Sequence, residues 1–370
     1  MANSSQWMVA GTKFDMSEFS VSTSRGSYQV QIGENLVARA TTKADLVLID
    51  DYVGRLLLDA PNPSTISVPG NEETKTLAGC EDILRQMNIL GTKRGDVLVA
   101  VGGGAIQDAA TLVASLYMRG IPWIYCPSTA MSMADSCIGG KSSINVAGIK
   151  NLVGNIYPPQ QVLIDPSLAA GLPIEAKISG LGEAVKICFV AGESAFGKYL
   201  ELADSPELFG KTPRTEDLLL HVLSAKKWFI EVDEFDRKER QLLNFGHTYA
   251  HALESASGFA LPHGVAVVLG ILGAISHPAS VQSSGTEALK RYCQELLAPI
   301  GELVTSTSER VDWTLFDQAV LTDKKGSRND IRLVLPMSSG VLGLVSLPRG
   351  SESLKAIRES MAQSLAQVTT

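Results

Sequence analysis

The first half of the chain alternates short apolar runs with amphipathic stretches. Runs rich in Val, Ile and Leu are typical of strands buried on both faces, and a 3.6-residue apolar period such as that of Glu72–Leu90 predicts a helix. This alternation predicts an α/β fold with a Rossmann-like, doubly wound, mostly parallel sheet. The predicted strands are Ala44–Asp50, Thr65–Val68, Asp96–Val101, Pro122–Cys126 and Gln161–Asp165.

The pattern changes near Gly171–Pro173 to long helical segments, so we expect an α/β domain over residues 1–172 and a mostly α-helical domain over residues 173–370. The cleft between two such domains is the natural place for an active site. A strand pair, Ile331–Pro336 and Val341–Val345, precedes an amphipathic tail. The predicted helices are Gly180–Leu202, Thr215–Val232, Leu243–Ser257, Val265–Ile275 and Thr286–Ile300.

Composition narrows the classes of function. With 45% hydrophobic and 19% charged residues, the chain is an ordinary globular protein long enough for two domains. A net charge of -7 argues against a nucleic-acid or membrane surface as the main partner. Five cysteines without CxxC spacing indicate reduced core residues. The N-terminus does not resemble a signal peptide, and no apolar stretch reaches the ~18 residues that span a bilayer, so we expect a cytoplasmic protein.

Three of the five histidines fall close together in the second half. His247 and His251 share one face of a predicted helix, and His263 can return to them after the break at Gly258 and Pro262. Imidazole and carboxylate groups hold zinc, and a catalytic zinc needs three protein ligands. The pattern predicts a metal site, with a merely polar helix face as the alternative, and leaves open which groups bind the metal.

A further carboxylate lies upstream of the histidines. Glu183 stands one helical turn before Lys186 in Gly182–Lys186 and is a candidate third or fourth ligand. The alternative is an exposed i,i+3 ion pair with Lys186.

A glycine-rich turn follows the predicted strand Asp96–Val101. In Gly102–Asp108, glycines let a phosphate approach the backbone, and the N-terminus of the following helix favours negative charge, so the turn favours a dinucleotide pyrophosphate. A simple tight turn is the alternative, because GxGxxG is not present. Asp50 ends an earlier strand and suits an adenosine ribose, or else caps the next helix.

The segment Cys126–Gly154 is rich in small residues and looks too apolar for a solvated loop. Burying a lysine without a partner is costly, so we expect its charged side chains to line a site. Its polar residues of interest are Asp135, Lys141, Lys150 and Asn151.

Together these motifs resemble the sugar phosphate cyclases, and most closely the 3-dehydroquinate synthases. The resemblance runs from Ser27 to Leu335. Its anchors are Glu72–Lys75, Gly102–Asp108, Met118–Gly120, Asp135–Lys141, Lys150–Asn151, Gly182–Lys186, Arg240–His247 and Asp323–Lys325.

The resemblance implies roles for individual residues. It implies zinc, or cobalt, on Glu183, His247 and His263, with His251 close by but not a ligand. Arg119 is expected to reach the site of a neighbouring subunit in a homodimer. NAD is expected to bind against Asp50, Glu72, Lys75, Gly103, Gly104, Asp108, Ser128, Thr129 and Lys150. The substrate is expected to bind among Asp135, Lys141, Asn151, Lys186, Lys226, Arg240, Asn244, His251 and Lys325.

The implied reaction converts 3-deoxy-D-arabino-heptulosonate 7-phosphate to 3-dehydroquinate and phosphate, a step of the shikimate pathway. It comprises transient oxidation by NAD, phosphate elimination, re-reduction and intramolecular aldol closure. Departures from the usual family residues, such as Ser128 for threonine and Asp236 for glutamate, leave open a specialised cyclase that makes amino-dehydroquinate or another cyclitol. A metal-dependent alcohol or glycerol dehydrogenase is the second alternative, because such enzymes share the glycine-rich turn and clustered histidines.

Overall fold

The structure, a computed structural model, describes residues 4–9, 12–57, 63–323, 330–337 and 341–369. The chain forms two compact units. Unit 1 comprises Met1–Leu172 and Leu208–Leu223, and unit 2 comprises Pro173–Glu207 and Ser224–Thr370.

Unit 1 is built on an eight-stranded sheet. The strands of the unit are β1 (Ser4–Val9), β2 (Thr12–Thr23), β3 (Gly26–Ile32), β4 (Leu46–Asp50), β5 (Thr65–Val68), β6 (Leu98–Gly102), β7 (Trp123–Pro127), β8 (Lys141–Val146), β9 (Ile149–Ile156) and β10 (Gln161–Ile164). The sheet order is β1-β2-β3-β10-β7-β6-β4-β5, parallel from β3 to β5 with β1 and β2 antiparallel at one edge. The predicted α/β fold is confirmed, while β1, β2, β3 and the separate β8–β9 hairpin were not predicted.

The helices of unit 1 follow strands of the parallel sheet. They are α1 (Leu36–Lys43), α2 (Asp51–Leu57), α3 (Leu77–Ile89) and α4 (Gly104–Leu116). The predicted helix Glu72–Leu90 begins only at Leu77, because the Thr76 hydroxyl accepts the Gly79 N–H at 3.1 Å and caps the first turn. Val47, Ile49, Val99 and Val101 are buried in one apolar cluster.

The structure differs from the expected division at residues 208–223. The sequence placed them in the second domain, whereas they belong to unit 1. Gly210 has φ +81°, and a Cβ there would lie 2.6 Å from the carbonyl oxygen of Pro166. Leu218 and Val222 are buried. Residues 208–223 therefore belong to unit 1 because of contacts with residues far away in sequence. The local hydrophobic periodicity does not encode such contacts.

Unit 2 is mostly helical. Its helices are α5 (Ile174–Val190), α6 (Glu193–Leu202), α7 (Arg214–Val232), α8 (His247–Ala256), α9 (His263–Ser276), α10 (Ser284–Leu297), α11 (Gly301–Ser308), α12 (Trp313–Thr322) and α13 (Ser351–Thr369), with α7 starting in unit 1. Strands β11 (Asp330–Pro336) and β12 (Leu342–Pro348) form an antiparallel hairpin. Helix α9 is buried from Gly264 to Ile275.

Two predicted helices are interrupted by glycines in the left-handed region. The predicted helix Gly180–Leu202 is divided at Gly192, where φ is 108°. The predicted helix Leu243–Ser257 starts as a 3-10 turn over Glu239–Asn244, and Gly246, with φ 78°, separates that turn from α8. A positive φ ends helical geometry at low cost only for glycine.

None of the described helices combines the length and the apolar character that crossing a bilayer requires. All five cysteines are buried and outside disulfides, as predicted.

Helices α5 and α9 approach each other at two glycines. A Cβ on Gly264 would lie 1.9 Å from the carbonyl oxygen of Ser179, and one on Gly182 would lie 2.5 Å from Cγ2 of Val268. The two backbones are therefore in direct contact, and neither position has room for a side chain.

We expect Gly264→Ala to destabilise the protein by ~1–3 kcal/mol or more, because the added methyl group must push α5 and α9 apart in a packed core. Gly301→Ala is a matched control, since a Cβ at this helix start meets no atom within 4 Å. Urea denaturation of both variants measures the difference. Equal midpoints for the two variants would contradict the inferred contact.

Candidate active site

Three side chains from three helices of unit 2 meet around one carboxylate. Glu183 lies in α5, and His247 and His263 are the first residues of α8 and α9. Oε1 of Glu183 is 3.7 Å from Nε2 of His247 and 3.3 Å from Nε2 of His263. One ligand atom from each of the three residues lies within 4.8 Å of the others. The structure thus brings together the three residues predicted to bind the metal.

Glu183 is a buried anion, only 1% exposed. Burial alone would raise its pKa, but the ammonium group of Lys186 and the two histidines outweigh burial and hold the pKa of Glu183 well below its usual range. Lys186 forms an ion pair with the other carboxylate oxygen and is itself buried. The expected alternative of an exposed Glu183–Lys186 pair is therefore wrong.

A second carboxylate orients His263. Nδ1 of His263 is 3.1 Å from Oε1 of Glu254, and this contact leaves Nε2 directed at Glu183. Although burial opposes protonation, the two carboxylates raise the pKa of His263 to about 10. A divalent cation beside Glu183 would displace the proton on Nε2 of His263, since metal binding releases protons from its ligands.

Sequence reasoning missed Glu254, although a signal was present. Glu254 lies seven residues after His247, and therefore on the same face of α8. His251, Glu254 and His263 form a second cluster of possible metal ligands. The rings of His251 and His263 are stacked at 5.8 Å.

The loop before α8 carries two predicted substrate residues, Arg240 and Asn244. The Asp233 carboxylate accepts the backbone N–H groups of Arg237 and Lys238, at 2.9 and 2.6 Å, and that of Arg240 at 3.2 Å. Nη1 of Arg240 donates to the carbonyl oxygen of Glu234 at 2.7 Å. Asp233 therefore holds the loop, a role that its sequence neighbourhood did not reveal.

Of two further lysines predicted to bind the substrate, the structure describes one. Lys226, in α7, is buried in unit 2 at 5% exposure. Lys325 lies outside the described residues.

In unit 1, the glycine-rich turn joins β6 to α4. A Cβ on Gly103 would lie 2.9 Å from Cγ2 of Thr129, and one on Gly104 would lie 3.7 Å from Cε of Met131. The Thr129 hydroxyl bonds to that of Ser132 at 2.8 Å, and the Ser128 N–H donates to the carbonyl oxygen of Gly102 at 3.0 Å. The predicted residues Gly103, Gly104, Ser128 and Thr129 thus lie together at the N-terminus of α4.

Near this turn, Lys75 and Asp108 form an ion pair at 2.8 Å, with both side chains mostly buried. Asp108 also accepts the backbone N–H of Ser143 at 3.0 Å. Burial raises the pKa of Asp108, and Lys75 opposes the shift. Nδ2 of Asn145, a residue that the sequence did not single out, donates to Glu72 at 2.6 Å. The β8–β9 hairpin is thereby tied to the predicted cofactor residues.

Asp50 has the capping role that was one of its two expected functions. Its Oδ1 accepts the N–H groups of Tyr52 and Val53 in the first turn of α2, at 2.9 and 3.4 Å. Its other oxygen lies against Gly70, where a Cβ would approach to 1.7 Å. A ribose contact by Asp50 stays a prediction.

The hairpin corrects the expectation that Cys126–Gly154 is not solvated. Strand β9 is exposed from Ile149 to Gly154, so Lys150 and Asn151 are at the surface of unit 1. Among the described strands, β9 pairs with β8 alone, so its other edge is open to solvent. Lys141 and Asp135 are half-buried, Lys141 at the start of β8 and Asp135 in the π-helical turn Ser132–Ser136.

Arg119 is exposed and stands in a strained turn. Its φ is 69°, directly after Met118 at 48°, and both values are unusual for residues other than glycine. Its predicted reach into a second subunit stays a prediction.

Comparisons with known proteins identify the family of the chain. The family models for the 3-dehydroquinate synthase N-terminal and C-terminal regions match residues 65–179 and 180–326. The 3-dehydroquinate synthase of Natranaerobius thermophilus is 30% identical over 359 residues, covering 91% of this chain and 96% of that protein. That of Clostridium tetani is 36% identical over 295 residues, covering 78% and 76% of the two chains.

Among solved structures, a 2-deoxy-scyllo-inosose synthase complexed with carbaglucose-6-phosphate, NAD+ and Co2+ has a similar fold, with a TM-score of 0.78 at 22% identity. The match covers 92% of this chain and 99% of that one. Because both family models match in order and together cover more than half of the chain, the chain belongs to the 3-dehydroquinate synthase family.

Proposed function

We propose that this enzyme converts 3-deoxy-D-arabino-heptulosonate 7-phosphate to 3-dehydroquinate and inorganic phosphate. The observation that carries the proposal is the buried Glu183 carboxylate, which faces two histidines on one side and Lys186 on the other. The site combines possible metal ligands with the buried ammonium group of Lys186. Such a site suits a reaction in which negative charge develops on the substrate in the transition state.

The donor set of unit 2 fits a catalytic metal. Two imidazole nitrogens approach one buried carboxylate oxygen, and three such ligands leave a position open for substrate. Glu183, His247 and His263 would hold zinc or cobalt, with Glu254 fixing the ring of His263. When bound, the metal would lower the pKa of a coordinated substrate alcohol.

The N-terminus of α4 fits a dinucleotide. At Gly103 and Gly104 the backbone is accessible to a pyrophosphate where the helix dipole favours negative charge. Asp108, which pairs with Lys75, and Glu72 are both hydrogen-bonded to the β8–β9 hairpin. These three residues would bind the rest of NAD. When bound, NAD would accept a hydride from the substrate and return it within the same turnover.

Cationic groups of the chain would bind the two anionic ends of the substrate. Arg240 and Lys226 are both buried in unit 2 and suit the carboxylate, because a guanidinium can bind it through two parallel bonds. Lys186 lies against the metal ligands and suits proton transfer or charge stabilisation at the reacting carbon. We propose the same substrate-binding role for Asp135, Lys141, Asn151, Asn244, His251 and Lys325, and a homodimer in which Arg119 serves the partner's site.

A cyclase of specialised metabolism is the second candidate. Asp236, with φ 60°, stands where a glutamate is usual in the family, close to the loop that carries Arg240. Such an enzyme would prefer an amino analogue of the heptulosonate or an uncarboxylated sugar phosphate. Side-by-side assays of phosphate release from these substrates distinguish the two candidates.

The first test concerns the metal. We expect chelation to abolish activity and zinc or cobalt to restore it, and His247→Ala to lose the bound metal because it removes one of three ligands. His251→Ala should keep its metal, since the group of possible ligands that contains Glu183 includes His247 and His263 but not His251. Loss of the metal in His251→Ala would instead indicate the second cluster of His251, Glu254 and His263. Atomic emission on the purified variants measures the content. Full metal stoichiometry in His247→Ala would refute the assignment.

The second test concerns NAD. Because the hydride returns in each turnover, NAD far below the substrate concentration should support complete conversion. Phosphate release should proceed without steady change in NADH absorbance. One-to-one consumption of NAD would instead favour a dehydrogenase.

The third test concerns the substrate carboxylate. Losing a charged hydrogen bond in a desolvated site costs ~2–5 kcal/mol, so Arg240→Ala should lower kcat/KM roughly 30-fold to several thousand-fold. Metal content and NAD affinity should not change. Arg310→Ala, which removes an exposed arginine of the same unit, is the control. Near-normal kcat/KM in Arg240→Ala would contradict the proposed role.

A further inference from the structure

A pocket of about 290 Å³ opens in unit 2 beside the loop that carries Arg240. One wall is the β11–β12 hairpin, which contributes Arg332, Val334 and Leu344. Val334 pairs directly with Leu344, and Arg332 lies two residues before Val334, so these side chains share one face of the hairpin. The hairpin therefore presents one cation above an apolar floor.

The opposite wall comes from the 3-10 turn Glu239–Asn244 and the start of α8. It contributes Gln241, Asn244 and Thr248. Nδ2 of Asn244 donates to the carbonyl oxygen of Gln241 at 2.9 Å, which fixes the amide and leaves its second N–H for a ligand. The Thr248 hydroxyl donates to the backbone carbonyl of Arg332 at 3.2 Å and joins the two walls.

The guanidinium of Arg332 has no partner within the described part of the chain. Its Nε is buried without a hydrogen bond, and no described carboxylate lies within ion-pair distance. Asp236 lines the same pocket without forming an ion pair with Arg332. A guanidinium whose buried Nε–H lacks an acceptor is costly unless a ligand supplies one.

The chemistry that satisfies such a group is an oxyanion. A guanidinium presents N–H donors in a planar fork, which matches the two oxygens of a carboxylate or of a phosphate. The free N–H of Asn244 can donate to the same ligand, and the pocket has room for a group of this size.

We propose that Arg332, together with Asn244, binds an oxyanion of the substrate and so sets specificity for the sugar acid phosphate. The inference rests on the proposed function for the identity of the substrate, but not for the class of ligand. Arg332 lies in β11, seven residues after the motif residue Lys325, and is not one of the predicted site residues.

The experiment uses the full-length, metal-loaded protein and compares Arg332→Gln, Arg332→Lys and the control Arg310→Gln. The kinetic arm measures kcat and KM for phosphate release from the heptulosonate phosphate. The binding arm measures the Tm shift caused by inorganic phosphate and, separately, by acetate, because a ligand that binds the folded state raises Tm. The anion whose effect is lost in Arg332→Gln tells whether the pocket takes a phosphate or a carboxylate.

We expect Arg332→Gln to raise KM about 30-fold or more, because it removes a charge-assisted contact present in both the ground state and the transition state, while kcat stays within about threefold. Arg332→Lys should raise KM about tenfold, since lysine keeps the charge but loses the planar fork. Arg310→Gln should match the unmutated enzyme. If Arg332→Gln does not fold, the KM of Arg332→Lys tests the proposal instead.

An unchanged KM in the folded Arg332 variants would overturn the proposal, as would a fall in kcat with KM unchanged. If the unmutated enzyme does not release phosphate from the heptulosonate phosphate, the proposed substrate is wrong, and the binding arm alone then decides the role of Arg332. In that case, equal Tm shifts in the unmutated protein and in Arg332→Gln would overturn the oxyanion site.

Discussion

The direct contact between the backbones of α5 and α9 is the constraint on which the proposed metal site of unit 2 depends. Gly182 immediately precedes Glu183, and Gly264 immediately follows His263, so each glycine adjoins a proposed metal ligand. Because neither glycine carries a side chain, the two helices come close enough for Oε1 of Glu183 to lie 3.3 Å from Nε2 of His263. The packing of small residues thereby sets the geometry of the charged ones.

Burying a carboxylate in that packing is costly unless its charge is balanced. Lys186 supplies one balancing charge, and the histidines supply further polar contacts, which is why the carboxyl group stays ionised despite its burial. Glu254 extends the network by one residue, because it fixes the orientation of His263. The proposed metal site is therefore preorganised, and such preorganisation is what stabilisation of a transition state by a metal or a fixed charge requires.

The proposed anion site of unit 1 depends on backbone groups more than on charged side chains. The proposed phosphate site at the N-terminus of α4 would need only backbone N–H groups and the helix dipole, so glycines could serve there in place of charged ligands. Fixed charges enter through the Lys75–Asp108 pair, which the β8–β9 hairpin joins by the backbone N–H of Ser143. The hairpin thus contacts both Asp108, which follows the glycine-rich turn directly, and Glu72, which lies about 30 residues before the turn.

The sequence by itself determined the elements whose signal is local. The buried strands of the parallel sheet, the shared helix face of His247 and His251 and the glycine-rich turn all follow from spacing over a few residues, and the family motifs extended this to the residues around Glu183. Only the tertiary structure decided that residues 208–223 pack with unit 1, that Asp233 holds the loop of Arg240, and that Arg332 faces Asn244. The first and the last of these contacts join residues distant along the chain, whereas the Asp233 bonds span four to seven residues in a loop that has no periodic signal. Their energy comes from burial and hydrogen bonding that exist only once the elements have packed.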